Sequence, residues 1–300
     1  MQNECTSVMA VFEAVSQYGE VSRAELSDIT GFSLVTVGKA VDGLRGCGLM
    51  SEYKQSRSGV GRRSGVCSIP SEQGMILIDM SHSRTTVRIC DLRLNVLHEY
   101  TETDKSIGEI WLGAFGNFTE MFSGELLGMG VVVPEGKTAE FAKTFKSEMG
   151  NLPELIVEEA RVYALANSER TDTHTSAVMV RLFADGKADG ALTYNNTLYS
   201  GAHGCAGGFS RIIDSRDSLV DVLYHICAVI DPETVHIACE NSEDCKISKK
   251  LIEALSKNGV SEDNLPKIIA EPLSDCSLAL DGAAKLLRNQ QVMIKLSKNS

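Results

Sequence analysis

One ten-residue stretch is basic throughout: Lys54 to Arg63 reads KQSRSGVGRR, four positive side chains with no acid among them and serines and glycines between. Such a run suits phosphate oxygens, which Lys and Arg meet through charge-assisted hydrogen bonds. A second group, His236 with Cys239 and Cys245, has residue types that ligate zinc, but the spacing is not an ordinary zinc pattern. The nine cysteines (5, 47, 67, 90, 205, 227, 239, 245 and 276) are odd in number and form no C-x-C or C-x-x-C. They read as thiols of a reduced protein, with neither a disulfide framework nor a zinc knuckle.

The charge around the basic run is uneven. Residues 1–70 hold seven basic and seven acidic side chains, whereas residues 71–300 hold 22 basic and 33 acidic and carry the entire net charge of −11. A neutral head with a basic tip on an acidic body is the asymmetry expected when only the head meets an anion. It excludes a protein that coats nucleic acid along its whole surface. With 300 residues, 43% of them hydrophobic and 23% charged, the chain is long enough for one large or two ordinary globular domains. No apolar run approaches a membrane span, and MQNECTSV lacks a signal pattern, so a cytoplasmic location is expected.

The elements that must carry the basic run are legible. Val8, Val11, Phe12 and Val15 recur at i, i+3, i+4 and i+7, one face of a helix that Gly19 ends. Ser22-Arg23-Ala24-Glu25 is a capping box opening a second helix, with Leu26 and Ile29 inward, which stops at Thr30-Gly31. Ser33 can cap a third, in which Val37, Val41 and Leu44 recur, closing near Gly46–Gly48. Leu49–Lys54 and Gly65–Ile69 read as two strands around the basic tip. Three helices and a hairpin make a winged helix-turn-helix, whose third helix enters a major groove. Ser33, Leu34, Val35, Thr36 and, one turn on, Lys39 are the residues placed to touch base edges, with Thr36 and Lys39 pointing away from Val37 and Val41. Arg62 and Arg63 at the wing tip can take phosphates or enter a minor groove. Many trihelical units bind protein instead; the basic wing, with no other evident task, favours DNA.

The rest reads as α/β. Strands are expected at 75–80, 84–90 and 95–100, then a helix through Trp111, Phe115, Phe118 and Phe122, and a buried strand over 126–134. Leu155–Ala166 reads as a helix, Ala177–Phe183 and Ala188–Thr193 as strands meeting at Asp185-Gly186. A helix over Leu219–Ile230, a strand over Thr234–Ala238 and helices over Ile247–Lys257 and Leu278–Leu287 follow.

SRAELSDITGFSLVTV (Ser22 to Val37), then Leu44, Gly48-Leu49 and Gly59-Val60-Gly61-Arg62-Arg63, resembles the DNA-binding heads of the ROK (repressor, open reading frame, kinase) family. Those heads run SRAELA-x-x-TGLS-x-x-TVS and end in G-G-R-R-P. Here Gly38 stands where that family usually has Ser, and Ser64 where it usually has Pro. Gly38 costs about 1 kcal/mol of helix propensity. In the body, GMGVVVP (128–134), LYSGAHGCAG (198–207), Asp231-Pro232-Glu233 and Gly282-Ala283-Ala284 are similar to the family's GIGVAVPG, LYRGANGFAGE, DPE and GAA. The resemblance implies a winged helix-turn-helix over 1–70, a hinge at 71–74, and over 75–300 an actin-like, ribonuclease-H-type sugar-kinase fold in two lobes.

The family's kinase motifs are eroded in this chain. Its first phosphate loop, D-x-G-G-T, is replaced by Asp79-Met80-Ser81-His82-Ser83, and its second, GTG-x-G, falls around Arg181-Leu182-Phe183. Its N-D-A-N-A-A-A-L-A-E, whose Asp is the general base, aligns with Glu158 to Asn167 and puts Glu159 at the base position, with Arg161 two residues on. Its A-G-E-x-x-H becomes Ala206-Gly207-Gly208-Phe209-Ser210-Arg211, losing the sugar-binding Glu and the zinc-site His, and the zinc motif is absent. Glu158 and Glu159 also fit plain helix-surface charges, and His203 fits a hydrogen-bonded structural residue. The resemblance therefore implies a DNA-binding regulator, a repressor by type, with a catalytically inactive body. DNA contacts are expected from Arg23, Ser33, Thr36, Lys39, Arg57, Arg62 and Arg63, and lining of an effector cleft from Asp79, Glu159, Arg161 and His203. The expected partners are a palindromic duplex operator, a carbohydrate-like effector and a second copy in a homodimer or tetramer, with no membrane, no ATP and no metal. The alternatives are a hexose kinase using Glu159 as base, and a ligand-free scaffold bound to DNA.

Overall fold

The computed structural model describes residues 2–54, 65–151, 153–170, 175–195, 197–203, 205–213, 215–273 and 277–298. The chain opens with helix α1 (Gln2–Tyr18), a short strand β1 (Val21–Ser22), helices α2 (Arg23–Thr30) and α3 (Leu34–Gly46), and strands β2 (Ser51–Lys54) and β3 (Gly65–Ser68). The apolar stripes read from the sequence converge except at Ile29, expected inward, which is 44% exposed because the short α2 turns only Leu26 into the core. Val11, Phe12 and Val15 of α1, Leu26 of α2, and Val37, Val41 and Leu44 of α3 are fully buried together with Leu49. The three strands form an antiparallel sheet in the order β1-β3-β2, with Val21 opposite Cys67 and Tyr53 opposite Val66.

The body begins with β4 (Gly74–Asp79), β5 (Thr85–Asp91), β6 (Val96–Glu102), α4 (Ile107–Met121), β7 (Leu126–Val133), α5 (Thr138–Met149) and β8 (Leu155–Glu158). Its sheet runs β6-β5-β4-β7-β8, with β4 and β5 antiparallel and Ile76 opposite Ile89. Every residue of β4 is buried, as suits an inner strand covered on both faces. The chain continues through α6 (Glu159–Arg170), β9 (Ser176–Leu182), β10 (Ala188–Tyr194), β11 (Thr197–Leu198), α7 (Arg216–Ile230), β12 (Thr234–Cys239), α8 (Ile247–Lys257), β13 (Lys267–Pro272) and α9 (Ser277–Lys298). The second sheet runs β11-β10-β9-β12-β13, with β9 and β10 antiparallel and β12 parallel to both neighbours. Its core joins Val178, Val180 and Leu182 to Val235 and Ile237 and to Leu219, Leu223, Leu251 and Leu255 of α7 and α8.

Two compact units result: residues 1–131, 144–155 and 284–300, and residues 132–143 and 156–283. The helical head thus shares its unit with the first strands of the body and the last turns of α9. Leu155–Ala166 corrects the sequence reading: Leu155–Glu158 is a strand, and the helix starts only at Glu159. The apolar Leu155-Ile156-Val157 run joins the sheet beside β7, a long-range pairing that overrides local helical preference. Helix α5 and strands β1, β11 and β13 have no counterpart in the sequence reading, and α9 runs eleven residues beyond the expected Leu287.

Candidate functional site

The outer face of the head is built by side-chain caps. Ser22 Oγ accepts from Glu25 N while the Glu25 carboxylate accepts from Ser22 N at 2.8 Å, so the capping box read from the sequence is formed. Gly31 closes α2 at φ 71°, a left-handed turn that a side chain would strain, and directs the chain into α3. Ser33 caps α3, its Oγ accepting from Thr36 N at 3.2 Å and lying 3.0 Å from Thr36 Oγ1. With Val37, Ala40, Val41 and Leu44 packed inward, the first turn of α3 stands at the surface. Leu34 is 59% and Val35 71% exposed, Lys39 is exposed one turn on, and Thr36 is half-buried.

Arg23, expected to contact DNA, is engaged within the head. Its Nε donates to Glu52 Oε1 at 2.9 Å, and its Nη2 donates to Glu52 Oε2 at 2.9 Å and to Asp42 Oδ1 at 2.7 Å. Arg45 Nη1 reaches Glu52 Oε2 at 3.2 Å. The hydrogen bond to Glu52 and the Asp42 charge outweigh partial burial and hold Arg23 more firmly protonated than a free arginine. The guanidinium therefore braces α2 against α3 and β2. Arg57, Arg62 and Arg63, the basic tip, lie outside the described residues.

In the second unit the anticipated base position is sealed. Glu159, the first residue of α6, is buried against Arg181 of β9: Nη1 lies 2.8 Å from Oε1, and Nη2 donates to Oε2 at 3.2 Å. The same guanidinium grips Asp189 of β10 in bidentate fashion, Nε to Oδ1 at 2.8 Å and Nη2 to Oδ2 at 2.6 Å. Arg181 and Asp189 are direct partners in the β9–β10 register, which puts both side chains on one face of the sheet. The guanidinium also lies 5.4 Å from the ring centres of Tyr163 and of Phe183. Burial opposes its charge, yet the two carboxylates hold it protonated above the ordinary arginine range. Both Glu159 oxygens are thus engaged by that fixed cation, where a general base needs an oxygen open to the substrate hydroxyl.

The other anticipated cleft residues are contributed by both units. Asp79 ends β4 in the first unit, 1% exposed, and accepts from Ser81 N at 2.9 Å. Arg161 and His203 belong, like Glu159, to the second unit. Arg161 donates to Ser200 Oγ, whereas His203 is exposed and its carbonyl accepts from Cys205 Sγ at 3.4 Å. Gly207, at φ 81°, brings this loop so close to β10 that a Cβ would sit 2.8 Å from Ala191 Cα. Nearby, Glu158 Oε1 accepts from Gly136 N at 2.9 Å, and burial pushes the Glu135 carboxyl above the usual range. Among the described residues, no group of three or more His, Cys, Asp or Glu side chains is arranged to hold a metal ion. Cys67 and Cys227 are buried thiols, pushed up to about 11 by that burial. Among the described residues, no helix is long and apolar enough to cross a membrane.

The two sheets with their flanking helices define a mixed α/β protein with the fold of ROK proteins, an actin-like sugar-kinase fold. No protein-family model and no curated protein matches the sequence. Among solved structures the chain is similar to a ROK family transcriptional regulator described as a homologue of the E. coli MLC protein, with a TM-score of 0.66 and 12% identity over 99% of this chain and 100% of that one. It is also similar to a ROK family protein from Streptococcus pneumoniae TIGR4 in complex with sucrose (TM-score 0.52, 14% identity, 71% of this chain and 97% of that one). A ROK hexokinase from Thermus thermophilus likewise matches at TM-score 0.52 and 11% identity, over 71% of this chain and 97% of its own.

Proposed function

We propose that the chain is a transcriptional regulator of the ROK type. In this reading residues 1–70 are a winged helix-turn-helix that binds double-stranded operator DNA. Residues 75–300 are a kinase-like body without phosphoryl-transfer activity, which pairs two copies and senses a small carbohydrate-like molecule. The observation that carries the reading is the geometry of α2 and α3: a left-handed turn at Gly31 joins them, and α3 is held by its inner face with its first turn free at the surface. A recognition helix needs that presentation to reach base edges in a major groove. A two-fold dimer would offer two such helices to half-sites about one helical turn apart, hence a palindromic operator. The regulator's similarity over 99% of this chain, against 71% for the hexokinase, supports the same assignment.

The absence of kinase activity rests on Glu159. A carboxylate bound on both oxygens by Arg181 is poorly placed to deprotonate a sugar hydroxyl, and losing a positioned base costs roughly 10²- to 10⁴-fold. Release of the heads at the proposed 71–74 hinge would have to open the buried contacts of Arg288 with α1.

The test is fluorescence anisotropy with duplex DNA from the region upstream of the coding sequence, titrated in salt with and without pooled sugars. Tight binding that falls steeply with salt and prefers this DNA over random duplex is expected. Failure to bind any duplex at low salt, together with hexose-dependent ATP turnover, would replace the regulator by a kinase that uses Glu159 as base.

A further inference from the structure

We infer that Leu34 and Val35 read the C5-methyl groups of thymine, so that each operator half-site is specified in part by apolar contact. The inference rests on the DNA reading of the head. Two large apolar side chains stand next to each other at the start of α3, 59% and 71% exposed, more than Tyr18 at 57% and Ile29 at 44%, the other exposed large apolar residues among the described residues of the head helices. Val35 and Lys39 are four residues apart, so they share one helix face. A surface that meets phosphates and base edges has one apolar feature to match such a pair: in a major groove the thymine methyl is the group that lacks a donor or acceptor.

The polar groups of the same turn are already engaged. Ser33 Oγ accepts from Thr36 N, and its hydroxyl lies at hydrogen-bond distance from that of Thr36. Two hydroxyls that satisfy each other and a helix terminus retain one donor between them, short of a bidentate base contact. Arg23, whose Nη1 lies 3.3 Å from where a Cβ on Gly38 would stand, is held by Glu52 and Asp42. Gly38, the next position along, has no side chain to hold a base edge away. Lys39 then supplies the charge that seats the helix on the backbone, and Leu34 and Val35 supply the discrimination.

Deoxyuridine differs from thymidine by that methyl alone, and this isolates the contact. Duplexes selected by the full-length chain from a randomised library should share thymines in each half-site. Replacing them by deoxyuridine should weaken binding about fourfold per methyl, the scale of burying one methyl-sized group. The L34A/V35A protein should bind thymine and deoxyuridine duplexes equally while keeping the wild-type salt dependence. Both residues are exposed, so an unchanged unfolding midpoint checks that the variant folds. Equal binding of both duplexes by the wild type, with sequence preference intact, would overturn the inference and leave the regulator standing. A change in sedimentation of L34A/V35A without a change in the thymine-to-deoxyuridine ratio would overturn it too, in favour of a self-association surface. A library that yields no preferred duplex removes the regulator reading and this inference with it.

Discussion

Arg181 and Arg288 are both almost fully buried, one in each unit, yet they are held in different ways. Arg181 is 3% exposed and meets two carboxylates that are themselves buried, Glu159 and Asp189, between the rings of Tyr163 and Phe183. Arg288, on α9, is 1% exposed and lies 5.5 Å from the ring centre of Phe12 in α1. It pairs with Glu13, whose side chain is 36% exposed, and donates to Ser16 Oγ at 3.0 Å and Leu92 O at 3.5 Å. The first arrangement is a closed charge cluster inside one core. The second ties the head helix to the rest of its unit through an acid that water already reaches. The same buried residue type therefore closes a site in the body and fastens the head, and only the second can let go without stranding a charge.

The largest expected effect follows from breaking the closed cluster. R181M removes the cation that both buried carboxylates share, and removing one partner from a buried pair costs about 3–5 kcal/mol. Urea unfolding at neutral pH should show that loss. The loss should shrink as the pH falls, because buried carboxyls that have lost this cation titrate above their unfolded values and the fold then gains by taking up protons. Replacing the whole cluster, E159L/R181M/D189L, should recover most of the stability, since well-packed apolar groups substitute for buried ion pairs at little net cost. An R181M protein that folds and turns over ATP with a hexose would break the comparison by showing that Arg181 only masked a working base.

The tie at Arg288 should cost less. R288M removes charge-assisted hydrogen bonds worth roughly 2 kcal/mol, and Glu13 can turn to solvent. Amide exchange in α1 should accelerate while β9 and β10 keep their protection. E13Q should fall between wild type and R288M. Equal acceleration in both regions would mean that Arg288 supports global stability and does not specifically hold the head.

The contrast also marks what the sequence could disclose. Helices α2 and α3 were legible because their signals are local: Ser22 with Glu25, Gly31, and Ser33 act on backbone groups within four residues. The strand at Leu155–Glu158 was read as helix because its identity depends on β7, some twenty residues earlier. Arg23 was legible as a cation of the head, but its partner Glu52, 29 residues away, was not. The Arg181–Asp189 pair had a findable signal: the expected hairpin at Asp185-Gly186 places these two residues opposite each other. Glu159 completes the cluster only through the tertiary packing of α6, and no spacing announces that.

A buried histidine sharpens the question of whether pairing or burial governs a charge. His236 of β12 is 1% exposed, with Nδ1 2.9 Å from Met179 Sδ and Nε2 3.2 Å from Glu271 Oε1. Burial lowers it to about 4, outweighing the upward pull of Glu271, and Arg170 adds to the lowering. The unfolded chain takes up this proton near the ordinary value of 6.5, and the fold does so only near 4. Stability from neutral His236 is thus complete above pH 6.5 and is lost as the pH falls towards 4, with a slope of up to ~1.4 kcal/mol per pH unit. H236Q should remove that component of the acid limb in pH-dependent unfolding. An unchanged limb would mean that Glu271 keeps the imidazole charged.

The smallest effect separates a brace from a contact on the head itself. Arg23 is about a third exposed and shared between two acids, so its ion pairs are partly screened and worth well under 1 kcal/mol each. Lys39 is exposed on the outer face of α3 and among the described residues forms no ion pair. K39A should lower the salt dependence of duplex binding by about one unit of slope, the mark of one lost phosphate contact. R23Q should leave that slope unchanged and slightly reduce affinity and stability together, because it loosens the angle between α2 and α3 without removing a contact. If R23Q flattens the slope as much as K39A, the guanidinium must leave Glu52 when DNA arrives. Arg23 would then behave like Arg288, a tie that can be exchanged, and unlike Arg181.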